Sequence, residues 1–214
     1  DFLSGHLELA HATDAAIGFG EVARADFPIR HLGDGERISL GEVTLEIRAT
    51  PGHTPESISV VVYERPTDEV PYGVLTGDTL FIGDVGRPDL LSSIGVSADD
   101  LGRQLYHSLH EKLLTLPDVT RVFSAHGAGS ACGKNLSTET QSTIGEQRAT
   151  NYALAPMTEA EFVAVVTEGQ PSAPGYFAFD AGLNRRQREL LDETEPPKAL
   201  SRDAVLEPQP GGAA

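Results

Sequence analysis

A single cysteine, Cys132, and no tryptophan occur in 214 residues. One cysteine excludes an internal disulfide, and favours a reducing compartment such as the cytoplasm over secretion. No apolar run is long enough to span a bilayer, and the opening "DFLSGHLELAH" lacks the layout of a signal peptide. Basic residues are scarce: 16 Lys and Arg stand against 32 Asp and Glu, a net charge of −16. That balance argues against a nucleic-acid partner, because counterion release needs clustered cations. Acidity of this kind serves solubility and does not by itself specify a cationic substrate. No internal repeat is visible. What remains is ordinary for a globular chain, 39% hydrophobic and 22% charged, at a length suited to one domain or one domain with an appendage.

The patterning predicts strands first and helices later. Ser4 can cap a short helix carrying Leu7 and Ala10. Residues 43–50, "VTLEIRAT", alternate strictly between Val43, Leu45, Ile47 and Ala49 on one face and polar residues on the other, the mark of a half-buried strand. Further strands are expected at 57–64, 72–77 and 120–125. A helix is expected at 98–116, with Ser97 at its cap, Asp99 and Asp100 in its first turn, and Leu101, Leu105, Leu109 and Leu113 at every fourth place. Two more are expected at 138–152 and 159–168, the second opened by a Thr158–Glu161 capping box, and a short final helix at 184–191. The loops "GDVGRPD" (83–89) and "HGAGSACG" (126–133) are too rich in glycine for regular structure. The order implies an α/β or α+β fold with functional residues in loops that follow strands.

Two of those loops carry ionisable residues that a hairpin would bring together. If 57–64 and 72–77 pair antiparallel, His53 just precedes the start of one strand and Asp78 just follows the end of the other. Adjacent strands lie about 5 Å apart, so the imidazole and the carboxylate converge at one sheet edge. His126 occupies the same kind of place, directly after another strand. Spacing alone leaves open a metal or catalytic site and three polar residues near turns.

The segments "TPGHTPES" (50–57), "LTGDTLF" (75–81) and "SAHGAG" (124–129), in that order, resemble the metallo-β-lactamase superfamily. The resemblance implies an αβ/βα sandwich, here lacking its first strands, with metal ligands on loops at one edge. "DFLSGH" matches the end of the superfamily's leading H-x-H-x-D-H motif if Asp1 is its aspartate, so two histidines are expected upstream of residue 1. In dinuclear members the residue after that aspartate is a histidine that helps to hold a second metal. Here it is Phe2, which has no lone pair to donate, so one ion is expected. "TGDTLFIGDVGRPDL" (76–90) and "AHGAGSACGK" (125–134), with weaker similarity through 161–188, narrow the resemblance to persulfide dioxygenases, especially the bacterial group fused to rhodanese domains.

That family implies an Fe(II)-dependent dioxygenase that oxidises glutathione persulfide, or a similar low-molecular-weight persulfide, with O2 to sulfite and free thiol. His53 and Asp78 would bind one iron per chain together with an upstream histidine, a facial triad for which zinc is also chemically suited. Asp1 and His126 would be catalytic neighbours that orient ligands or bound water. Arg87 would either take a substrate carboxylate or anchor its loop to Asp89. Cys132 would either contact the persulfide sulfur or serve as a small buried apolar residue. His6, His11 and His31 have no metal-binding spacing. His107 and His110, at i and i+3, could chelate an ion or simply occupy a solvated helix face. On this resemblance residues 1–135 form an N-terminally incomplete metal-binding core, 136–194 a helical part of the same domain, and 195–214 a linker or tail towards a rhodanese domain. The expected partners are a thiol persulfide, O2 and possible sulfurtransferase or homodimer contacts, with no nucleic acid and no membrane. The competing readings are a glyoxalase II-like thioesterase, which would use two metals, and an inactive fragment.

Overall fold

The computed structural model describes residues 2–92, 95–170, 172–190 and 201. Its centre is a six-stranded mixed sheet in the order β10-β9-β6-β5-β4-β3. The strands are β3 (Arg37–Leu40), β4 (Val43–Ala49), β5 (Ile58–Tyr63), β6 (Gly73–Gly77), β9 (Arg121–Ser124) and β10 (Ser142–Thr143). Two short ribbons flank it, β1 (Gly18–Gly20) with β2 (Arg30–Leu32) and β7 (Leu80–Phe81) with β8 (Asp84–Val85). The expected β5–β6 hairpin is present, pairing Val60 with Leu75 and Val61 with Val74. β9 runs parallel to β6, with Gly77 opposite Ser124. The end of β6, the end of β9 and the turn into β5 therefore lie at the same edge, which is what gathers the chemistry there.

Period-two alternation sorts the sheet into two unlike faces. Val61, Val74 and Val122 form a fully buried row that shares one core with Leu105, Leu109 and Leu113. Those leucines lie on α2 (Ala98–His107) and on the π-helical turn Ser108–Leu113 that continues it. The cap at Ser97 is as expected, accepting from the Asp100 N–H. α4 (Glu159–Thr167) packs against α2, adds Phe162 and Val166 to the core, and carries the expected capping box. The opposite face holds Leu75, 48% exposed, in register with Val60 and Phe123, and ends at Tyr72, 42% exposed.

Several boundaries differ from expectation. α1 (His6–Thr13) begins after Gly5 with no side-chain cap, so Ser4 does not cap it; the Ser4 N–H instead donates to Asn184 Oδ1. The helix expected from 138 begins only at α3 (Ile144–Thr150), because Ser142 and Thr143 pair with β9 first. Among the described residues the last helix is α5 (Phe177–Leu183), with 184–190 non-helical: Asn184 holds the N-terminal segment through Ser4 and Phe2, and Arg188 ion-pairs with Glu8. Tertiary contacts outweigh helix propensity there. The tail expected at 195–214 lies outside the described residues except for Ser201. Among the described residues no helix is long and apolar enough to cross a membrane.

Candidate metal centre

A buried hydroxyl ladder fixes the floor of the site. Thr50 Oγ1 lies 3.0 Å from Ser59 Oγ, and Thr79 Oγ1 donates to Thr50 Oγ1 at 3.0 Å. These bonds tie the loop after β4 to the turn after β6. The chain can close so tightly only because two positions lack a side chain. A Cβ on Gly52, at φ +149°, would stand 2.5 Å from Leu105 Cβ. One on Gly86 would stand 1.8 Å from the Asp78 carbonyl oxygen and 3.2 Å from His53 Cβ.

His53, Asp78 and His126 do converge. The His53 side chain is almost wholly buried, and its Nδ1 lies 2.8 Å from the Arg87 carbonyl. A carbonyl only accepts, so Nδ1 carries the proton and Nε2 keeps its lone pair. That Nε2 faces Asp78 Oδ2 at 3.6 Å. Asp78 Oδ1 lies 3.2 Å from His126 Nε2, near enough for an ion pair. The alignment is not that of a hydrogen bond, and this buried oxygen accepts none. The His126 ring rests edge-on against Phe81.

Electrostatics keep both residues in ligand form. Burial holds the His53 imidazole below its usual pKa, against the opposing pull of the Asp78 charge. Burial alone would raise the Asp78 pKa, but the His126 contact and the His53 ring outweigh it, and the net shift is downward. A neutral imidazole and an ionised carboxylate are both electron-pair donors, and metal binding requires those states. Two donors each about 2.0–2.2 Å from one tetrahedral ion stand roughly 3.3–3.6 Å apart. The His53–Asp78 separation and the unbonded Asp78 oxygen therefore fit a cation. Cys132, 2% exposed, joins them: donor atoms of His53, Asp78 and Cys132 lie within 4.8 Å of one another. Burial, and then the Asp78 charge, push the Cys132 thiol above its usual pKa.

Arg87 sits beneath this cluster. Its guanidinium, 2% exposed, meets Asp89 through two bonds of 2.7 Å, Nε to Oδ1 and Nη2 to Oδ2, and donates from Nη1 to the Ala131 carbonyl at 3.3 Å. In this geometry it serves as the anchor of its loop. Asp1 lies outside the described residues. His107 and His110 do not form a chelating pair: His107 bridges Glu111 and Glu159, and the His110 ring packs at a tilt against Tyr106. His31 contacts the Glu21 carbonyl and His6 packs against Phe27, both apart from the cluster.

A cavity of about 290 Å³ opens over His53, Asp78 and Cys132. Its walls include Leu90, Leu91, Phe177 and Ala181, with Asn184 and Arg185 also lining it. The sequence reading missed the α5 wall. The signal was present: Phe177, Ala178, Ala181 and Gly182 fall at i, i+1, i+4 and i+5, one face of a helix.

Residues 4–126 match the metallo-beta-lactamase superfamily. The chain is 33% identical over 164 residues to the mitochondrial persulfide dioxygenase ETHE1 of Bos taurus, covering 77% of this chain and 55% of that protein. Its structure matches a metallo-beta-lactamase from Staphylococcus aureus with a TM-score of 0.81 and 34% identity, over 90% of this chain and 57% of that one. It also matches ETHE1 from Myxococcus xanthus with a TM-score of 0.69 and 26% identity, over 86% of this chain and 71% of that one. The chain thus spans about half the length of the curated persulfide dioxygenases it matches.

Proposed function

Since the chain belongs to the metallo-beta-lactamase superfamily, we propose that it carries the core of a persulfide dioxygenase with one ferrous ion per site. The reaction would be R–S–SH + O2 + H2O → R–SH + SO3²⁻ + 2 H⁺, with glutathione persulfide or a similar small persulfide as substrate. The observation that carries this reading is the His53 Nε2–Asp78 Oδ2 pair, 3.6 Å apart, beneath an apolar cavity. The name of the ETHE1 relatives supports the persulfide assignment. Phe2, where dinuclear members have a ligand, supports a single ion. A ferrous ion there would supply a site where persulfide sulfur and O2 meet.

The chain's own residues do the rest. His53 is held in one tautomer by the Arg87 carbonyl, so its donor nitrogen needs no reorganisation. His126 holds Asp78 from the far side, and Asp1 is assigned to orient water near the ligands. Leu90, Leu91 and Phe177 keep bulk water from the reacting sulfur while leaving room for a thiol tail. An upstream histidine, a fused sulfurtransferase domain, homodimer contacts and a cytoplasmic location complete the proposal.

The test is anaerobic loading of the full-length polypeptide with Fe(II), followed by O2 and sulfite measurement with glutathione persulfide. One sulfite per O2 is expected. Bound iron without sulfite overturns the oxygenase assignment, and thioester hydrolysis with two bound metals moves it to the glyoxalase II-like alternative.

A further inference from the structure

The geometry points to Cys132 Sγ as a protein donor to the same ion that His53 and Asp78 hold. This rests on the reading of His53 and Asp78 as a metal pair, and adds a sulfur to it. Three observations place the sulfur there. Its donor atom falls within 4.8 Å of those of His53 and Asp78, an arrangement in which three side chains can converge on one centre. The residue is 2% exposed yet lines the cavity over the pair, so the interior surface it presents is that of the site.

The third observation is how the loop is held. The Arg87 N–H donates to the Cys132 carbonyl at 2.9 Å, while the Arg87 carbonyl accepts from His53 Nδ1 at 2.8 Å. One residue thus fixes the backbone of the cysteine with its amide and the ring of the histidine with its carbonyl. The Arg87 guanidinium reinforces this through the neighbouring Ala131 carbonyl, and Ser130 Oγ accepts from the Cys132 N–H at 3.1 Å. A cysteine retained only as apolar filling would need none of this alignment to the imidazole. On binding, the S–H bond breaks, the proton leaves to solvent, and the sulfur lone pair forms the bond to the ion. A thiolate makes the donor set softer and favours zinc, cobalt and ferrous ions over magnesium or calcium.

X-ray absorption on the full-length polypeptide loaded with Zn(II) tests this without relying on activity. A shell with one sulfur at about 2.3 Å beside nitrogen and oxygen at about 2.0–2.2 Å is expected. With Co(II), a near-ultraviolet sulfur-to-cobalt charge-transfer band should appear. Cys132→Ser should lose the sulfur shell and the band, and weaken metal binding by about tenfold or more. Cys132→Asp, which restores an oxygen donor, should recover affinity without the band. A wild-type shell containing only nitrogen and oxygen overturns the assignment of Cys132 and leaves the His53–Asp78 pair standing. Unchanged metal uptake in Asp78→Asn overturns the pair itself, and the sulfur with it.

Discussion

Arg87→Lys separates the two roles open to Arg87, loop anchor and substrate clamp. The substitution keeps the positive charge but removes the planar fork that meets both Asp89 oxygens at 2.7 Å. A lysine can keep one of those contacts and cannot also reach Ala131. Hydrogen bonds to charged groups contribute about 1.5–3 kcal/mol each, but the Asp89 side chain is 30% exposed and water takes up part of what is lost. The net cost is then about 2 kcal/mol, or about 4–8 °C in Tm for a chain of this size. Loosening the loop also frees the Arg87 carbonyl that fixes His53, so metal affinity should fall about 10–100-fold. Calorimetry and a competitive metal titration measure the two effects. Asp89→Asn should act on the same contact, so the double variant should lose less than the sum of the single losses. If Arg87 instead clamps a substrate carboxylate, Arg87→Lys raises KM and leaves Tm and metal affinity as in wild type. That outcome refutes the anchor.

His107 is expected to act as a small pH-dependent brace between α2 and α4. Its contact with Glu111, and then that with Glu159, outweigh its slight desolvation and raise its pKa. A raised folded pKa contributes stability that is fully present below the unfolded value of about 6.5 and is lost as pH rises through the folded value. The side chain is 53% exposed, so the contribution is about 0.5 kcal/mol or less. His107→Gln should therefore lower Tm by about 1–2 °C near pH 5.5 and leave it unchanged well above neutrality; equal losses at both pH values contradict the brace. The outer sheet face offers a separate test, because Leu75 and Tyr72 are exposed there beside Val60 and Phe123. Expressed as these 214 residues, the chain should self-associate, and Leu75→Lys should reduce its light scattering without altering its circular dichroism; unchanged scattering removes that face as the cause.

The convergence of His53 and Asp78 was legible because it depends on hairpin topology alone, whereas that of His126 also needs β9 beside β6. A β-branched run, a turn-like break and a second apolar run define a hairpin, and hairpin pairing fixes which ends meet. The parallel placement of β9 beside β6 was not legible in that way, since the crossover between them is an entire helical segment and local patterning carries no information about where it returns. Helix starts differ from the sequence expectation where a residue has a tertiary partner. Ser142 pairs with β9 before α3 begins, and Ser4 meets Asn184, 180 positions away. Cys132 and Arg87 were singled out individually, but the peptide contact joining them needed coordinates.

The dipeptide Gly-Asp occurs twice within eight residues, in "TGDT" and "IGDV", and the dipeptide by itself does not distinguish the two aspartates. Their hydrogen bonding does. Asp84 is wholly buried and saturated: its carboxylate accepts from the N–H groups of Val85, Lys134 and Asn135 and from the Tyr152 hydroxyl. It fastens the glycine-rich loop of 126–134 to β8, and Gly133 passes so close that a Cβ there would lie 2.8 Å from Asp84 Oδ2. A carboxylate with its lone pairs so engaged has no capacity left for a ligand. Asp78, six residues earlier, accepts no hydrogen bond at Oδ1 and faces the lone pair of an imidazole with Oδ2. A carboxylate oxygen buried without a donor is costly unless a cation offsets it, and although the Asp78 side chain is 28% exposed its Oδ1 is shut away from water. The fold satisfies one aspartate with three backbone amides and a tyrosine hydroxyl, and leaves the other to be satisfied by something it binds. The loop that the first aspartate secures is the same loop that brings Cys132 to the second.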